Sequence, residues 1–156
     1  MASNEMEVVN QEKVQYIVVK IGGEQYGLNI SYVDNIVRMQ KITRVPKAPH
    51  YYVGVINLRG EIVPVMSVRR KMGLEDDVYT NKSRIIILKL ENLGLIGIIV
   101  DEVKEVINLG ESDIDRNVSN ANRRADANYI NGIGKDGDEL VSIFEISSIV
   151  GEVETA

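Results

Sequence analysis

His50, in Pro49-His50-Tyr51-Tyr52, is the only histidine, and the chain has no cysteine. Thiolate nucleophiles, disulfides and zinc sets built from Cys and His are therefore excluded. A serine nucleophile would need a base beside it, and the Gly-x-Ser-x-Gly elbow does not occur. His50 follows a proline-marked turn and reads as a loop or strand-entry residue. Carboxylates cluster at Glu75-Asp76-Asp77, Asp101-Glu102, Asp113/Asp115 and Asp136/Asp138/Glu139. Acidic turns and solvated edges account for such runs. Asp136-Gly137-Asp138 lacks the further ligands of a calcium loop. No glycine-rich phosphate cradle is present. The expectation is a protein with no catalytic residues, no metal and no cofactor, which acts through its surface.

One charged side chain stands apart. In Gly54-Val55-Ile56-Asn57-Leu58-Arg59-Gly60-Glu61-Ile62-Val63-Pro64-Val65, two apolar strands flank an Arg-Gly turn. A hairpin with glycine in its turn is common. An arginine held there offers five donors in a planar fork at a fixed place, suited to protein recognition or to an ion pair. A local salt bridge or a surface fork is the plainer alternative.

The elements that would position Arg59 come in two copies. Tyr16-Ile17-Val18-Val19-Lys20-Ile21 resembles Ile85-Ile86-Ile87-Leu88-Lys89-Leu90, and Tyr26-Gly27-Leu28 resembles Ile96-Gly97-Ile98. Val33, Ile36 and Val37 match Val103, Val106 and Ile107. Tyr52, Gly54, Val55, Glu61, Ile62, Val63 and Val65 match Tyr129, Gly132, Ile133, Glu139, Leu140, Val141 and Ile143. The growing offset implies an insertion in the second copy within Asn108–Asn128, a polar stretch that reads as a loop. Each copy predicts five short strands and a short helix, at Ser67–Met72 and at Phe144–Val150. Gly22-Gly23 marks a hairpin connection. The spacing of Val33, Ile36 and Val37 suits a short helix, whereas their β-branching suits a strand. By residue type they fit a core at least as well as an interface. In the second hairpin Lys135-Asp136-Gly137 replaces Asn57-Leu58-Arg59, so the hairpin alone does not require an arginine.

The chain has 156 residues, is 44% hydrophobic and carries a formal net charge of -5. That length supports one domain or two small units sharing a core. Acidity argues against sequence-independent nucleic-acid binding and against anionic membranes. The longest apolar run, Leu95–Val100 with Leu93-Gly94 before it, is too short to span a bilayer, which takes roughly 18 residues. The start, Met1–Glu7, has no signal-peptide pattern. A cytoplasmic protein is expected. Its expected organisation is a flexible segment 1–13, one domain at 14–150 made of two intertwined β-barrel subdomains at about 14–80 and 81–150, and a tail at 151–156, all read as a standalone protein.

From about Gln15 to Val150 the sequence resembles the CheW family of bacterial chemotaxis coupling proteins. The resemblance is carried by Tyr26-Gly27-Leu28-Asn29-Ile30 with Val33, by Gly54–Val65 with Ser67-Val68-Arg69-Arg70, by Gly97–Val103, and by Tyr129–Gly134. It implies a mainly β fold of two SH3-like five-stranded barrels around a shared hydrophobic seam. It further implies a non-enzymatic adaptor that couples chemoreceptors to the histidine kinase CheA and is recruited to receptor arrays through these partners. By resemblance, Val33, Ile36, Gly54, Asn57, Arg59, Val103 and Val106 are candidates for the groove that takes the receptor tip. Ile42, Thr43 and Val45 are candidates for contact with the regulatory domain of CheA. Some relatives carry an aromatic where this chain has Ala121, which puts a second, ring-closing kinase contact in doubt. A CheW-like domain of a CheA or CheV protein is the alternative within the family. A small-molecule-binding β-barrel or a hydrolase is the alternative outside it.

Overall fold

The computed structural model describes residues 13–117 and 127–151. The described residues form eleven strands, the ten expected runs and the short β9: β1 (Val14–Ile21), β2 (Glu24–Asn29), β3 (Val33–Arg38), β4 (Tyr52–Leu58), β5 (Glu61–Ser67), β6 (Arg84–Leu90), β7 (Gly94–Val100), β8 (Glu102–Leu109), β9 (Ile114–Asp115), β10 (Ile130–Asp136) and β11 (Glu139–Phe144). Two short helices, α1 (Val68–Lys71) and α2 (Ile146–Val150), follow β5 and β11. Both fall within the predicted ranges. Ser67 stays outside α1 as its cap, its hydroxyl accepting from the Arg70 N–H. Phe144 ends a strand, and Glu145 precedes α2.

The strands form one sheet in the order β8-β1-β2-β11-β10-β9 and another in the order β3-β6-β7-β5-β4. Substituting each strand of the first order by its sequence repeat (β6 for β1, β7 for β2, β3 for β8, β4 for β10, β5 for β11) produces the second. The duplication therefore shows in the topology, including the parallel pairs β2–β11 and β5–β7. The copies are interleaved: β1–β2 pairs with strands of the second copy, and β6–β7 with strands of the first. The chain crosses between sheets at Ile30–Tyr32 and again at Asp101.

Three apolar clusters follow. One fills the β3-β6-β7-β5-β4 sheet, called the first sheet because it holds β3–β5 of the first copy, with Ile56, Val63, Val65, Ile85, Ile87 and Ile99. A second fills the other sheet, with Tyr16, Val18, Ile107, Leu109, Ile114, Val141 and Ile143. The largest lies between them and draws on both, including Ile17, Val19, Ile86, Leu88, Ile98, Phe144 and Ile149. Tyr26 and Phe144 stack there, with ring centroids 4.4 Å apart. Gly27 and Gly97 are repeat partners for a packing reason. A Cβ at Gly27 would lie 3.2 Å from Ile143 Cδ1, and one at Gly97 2.8 Å from Ile85 Cγ2.

Two sequence expectations need correction. The stretch after Asn108 is not all loop: β8 runs to Leu109, and the two-residue β9 pairs with β10. A strand this short leaves no periodicity, and its anchor is one buried residue, Ile114. The repeat partner of Tyr129 is Tyr51, not Tyr52. Tyr51 O accepts the Ser67 N–H at 2.7 Å, as Tyr129 O accepts that of Glu145 at 2.8 Å. Tyr52 corresponds to Ile130, since the two face Met66 and Phe144.

Candidate functional site

Register settles the reading of Val33, Ile36 and Val37. They lie on a strand, and the helix-like spacing comes from a β-bulge between Val33 and Asn35. A bulge adds one residue to one strand, so side chains three apart return to the same face. Val33 faces Leu88 and Ile36 faces Ile86, both in the central cluster. Val37 faces Ile85, in the first sheet's own cluster. The second copy repeats the device between Val103 and Glu105. Val103 faces Val19 and Val106 faces Ile17, both again central. Thus Val33, Ile36, Val103 and Val106 all lie on the faces turned to the shared seam. Val33 and Val103 pack on the central cluster. Ile36 and Val106 remain 37% and 50% exposed. β3 and β8 are the outer strands at matching ends of their sheets. Ile36 and Val106 are thus exposed branched apolar residues at the same place in both copies.

The remaining receptor candidates sit on the β4–β5 hairpin. Leu58 pairs with Glu61, leaving a two-residue turn of Arg59 (φ 52) and Gly60 (φ 85). Positive φ at both positions defines a type I′ turn, which favours Asn, Asp and Gly. Asn57 is spent on this turn, its Oδ1 accepting the Gly60 N–H at 2.9 Å. Arg59 is exposed, and among the described residues it has no hydrogen bond or ion pair. Its repeat partner Gly137 has φ 63 and is the residue suited to that conformation. Holding an arginine there costs about 1 kcal/mol. Arg59→Asn should therefore melt at the same temperature or slightly higher in a calorimetric scan. A drop of several degrees would reveal a structural partner for Arg59.

Gly54, on β4, lies against the kinase candidates Ile42 and Thr43. A Cβ there would lie 2.2 Å from Thr43 O and 2.8 Å from Ile42 Cγ2. This close approach lets Thr43 bridge to Val55 through two backbone hydrogen bonds of 2.8 Å. Ile42 packs on the first sheet's cluster, Thr43 is exposed, and Val45 is 45% exposed. In the second copy Asp115 faces Ile133, the repeat partner of Val55. Ile42-Thr43-Arg44 therefore corresponds to Ile114-Asp115-Arg116, an equivalence too short to find by comparing the halves. Three residues that the sequence reading missed join this edge: Met39, Val53 and Tyr79 share a shallow concavity with Ile42. Tyr79 comes from the non-repeated connection before β6, where periodicity carries no signal. Ala121 lies outside the described residues.

Within the Ser67-Val68-Arg69-Arg70 segment, Ser67 and Arg69 act as a structural clamp. Arg69 grips Asp101 with two bonds, Nη2 to Oδ2 at 2.6 Å and Nε to Oδ1 at 3.3 Å. Its Nε is also 3.8 Å from Asp77 Oδ1. Asp77 Oδ2 accepts the Ser67 hydroxyl, and Asp101 Oδ2 accepts the Gly22 N–H at 2.9 Å. Arg70 binds Asp76 and the His50 carbonyl. The acidic runs near 76 and 101 are thus paired structurally. Burial pushes the Asp77 carboxyl up, while Ser67 and Arg69 pull it down. On the second copy, hydrogen bonds from Asn131 and Ser147 hold the Glu145 carboxyl below its ordinary value.

The two β units thus share a seam, with exposed apolar residues on β3 and β8 and an exposed arginine at the β4–β5 turn. A family model described as the CheW-like domain matches residues 15–154. The chain is 34% identical to the chemotaxis protein CheW of Helicobacter pylori over 90% of its own length and 84% of the relative's. It is 33% identical to CheW of Bacillus subtilis over 92% and 90%. The solved structure of the scaffolding protein TtCheW from Thermoanaerobacter tengcongensis superposes with a TM-score of 0.76 at 32% identity, covering 85% of this chain and 88% of that one. The chain belongs to the CheW-like family.

Proposed function

We propose that this chain is a non-enzymatic cytoplasmic adaptor that couples chemoreceptors to the histidine kinase CheA. The observation that carries this reading is the matched pair of exposed apolar residues, Ile36 and Val106, bulged onto the seam face in both copies. Two such rims beside one central cluster suit an amphipathic helix, which docks its apolar face through residues at i, i+3 and i+4. The receptor tip is the helical partner that the family supplies. Arg59 then acts on the receptor side as a free cation at a rigid turn. The edge at Ile42, Thr43 and Val45 receives the kinase regulatory domain.

The deciding experiment is calorimetric titration of the purified chain with a receptor-tip fragment and, separately, with the CheA regulatory domain. Binding to neither would overturn the proposal. Ile42→Glu should weaken kinase-domain binding by about 2 kcal/mol if Ile42 anchors the interface, with receptor binding retained. An unchanged kinase titration would remove Ile42 from that contact. Arg59→Ala should keep its melting temperature yet lower receptor-dependent kinase activation in a reconstituted assay. Arg59→Lys should rescue poorly, because an ammonium cannot form the two-pronged contact of a guanidinium.

A further inference from the structure

Between Asp34 and Glu61 the chain contains no Asp or Glu, yet it carries Arg38, Lys41, Arg44, Lys47 and Arg59. Five positive charges without a carboxylate, in a protein of net charge -5, form a concentrated charge asymmetry. The fold gathers part of this charge at one place. The connection from Thr43 to Tyr52 curls into a concavity lined by Arg44, Lys47 and Arg70, with Val45, Pro46 and Pro49 as apolar walls. Arg70 is half committed, its Nε to Asp76 Oδ1 at 3.1 Å and Nη1 to His50 O at 3.0 Å. Arg44 and Lys47 have no hydrogen bond or ion pair among the described residues.

The backbone adds a second observation. Among the described residues only Lys47 (φ 66) and Arg59 (φ 52) are non-glycine residues at positive φ. A lysine in that conformation is strained, and strain of this kind concentrates at binding sites. A third concerns the edge leading into the concavity. Thr43 exchanges both backbone hydrogen bonds with Val55, so the amides and carbonyls of Ile42 and Arg44 point away from the sheet. They make no backbone hydrogen bond among the described residues. An open edge of this sort accepts an extended peptide.

We propose that the Arg44–Lys47–Arg70 concavity is a carboxylate-recognition site for an acidic, extended segment of a protein partner. The segment lies along Ile42–Val45 and places a Glu or Asp side chain among the three cations. Valine-like residues of the segment contact Val45, Pro46 and Pro49. The segment shares the Ile42–Val45 edge proposed above for the kinase domain; a short peptide probes that edge without the kinase, so its failure and the failure of the kinase titration are read separately.

The test is NMR titration of the full chain with acetyl-Val-Glu-Val-Glu-Val-amide and with its glutamine twin. The expected result is amide shifts confined to Ile42–Val53 and Arg70, on the order of tenfold weaker for the twin. They should be largely suppressed in about 0.5 M salt. The double variant Arg44→Gln/Lys47→Gly should lose the response, while its melting temperature stays level because glycine suits the conformation at position 47. Three results would overturn the proposal. The twin could bind equally well, the shifts could fall elsewhere, or inorganic phosphate at the same concentration could reproduce them, which would make the concavity a simple anion notch.

Discussion

Arg69→Ala should cost about 2–4 kcal/mol of stability and lower the melting temperature by many degrees. The reason lies in what the guanidinium leaves behind. The Asp77 side chain is 6% exposed, and Arg69 is its cationic neighbour at 3.8 Å. Without Arg69 that carboxylate keeps the Ser67 hydroxyl but loses its counter-charge in a site where burial already disfavours ionisation. Asp101, at the one-residue crossing between β7 and β8, loses both arginine bonds. It is then held only by the Gly22 and Lys20 backbone. Stripping one partner from a buried pair is far worse than never having built it.

The pH dependence distinguishes this account from simple loss of packing. The folded-state value of Asp77 is already raised. Removing Arg69 raises it further, so the folded variant binds a proton that the unfolded chain gives up. Stability gained this way grows as pH falls through the raised folded value. The deficit of Arg69→Ala should therefore be largest near neutral pH and shrink as the solution is acidified. A deficit independent of pH would place the arginine's role in packing by its stem. Arg59→Asn, ten residues earlier, should show neither effect. That contrast separates the arginine that holds the sheets together from the exposed one at the β4–β5 turn.

The duplication was legible because glycines cannot drift. Gly27 with Gly97 and Gly54 with Gly132 sit where neighbouring atoms leave no room for a Cβ, and they kept the copies in register. That the two subdomains intertwine was expected, but which strands they exchange was not legible. β1 can pair with β3 or with its repeat β8 on nearly equal terms, and only the seam decides. The strand nature of Val33–Val37 was ambiguous for a definite reason: a bulge imposes a helix-like spacing on a strand. The apolar rims and the Ile42–Val45 edge were identified through the family resemblance. Residue type alone left Val33 and Ile36 between core and surface, and the structure half-buries Val33 against the central cluster and leaves Ile36 exposed. Met39, Val53 and Tyr79 escaped notice because they converge from segments with no shared periodicity.

Gly54→Ala tests whether the Ile42–Thr43 edge is a structural unit of its own. A methyl group 2.2 Å from the Thr43 carbonyl oxygen cannot be absorbed by a rotamer change, because the clashing atom is backbone. Either β4 or the Ile42–Thr43 segment must move. β4 is fixed by its pairing with β5 from Tyr52 to Leu58, whereas Thr43 is held by two hydrogen bonds to Val55. The weaker side yields. The variant should lose that pair of bonds and part of the packing of Ile42, together about 2–4 kcal/mol. Hydrogen exchange should show the loss locally, with fast exchange at Thr43 and Val55 and retained protection in β6 and β7. If the edge carries the proposed kinase contact, binding of the regulatory domain should fall with it, while the proposed receptor-tip binding at the rims of β3 and β8 should be retained. Equal loss of both partners would mean that the damage spreads through the first sheet. Intact kinase binding by a folded Gly54→Ala protein would move the contact away from Ile42–Val45.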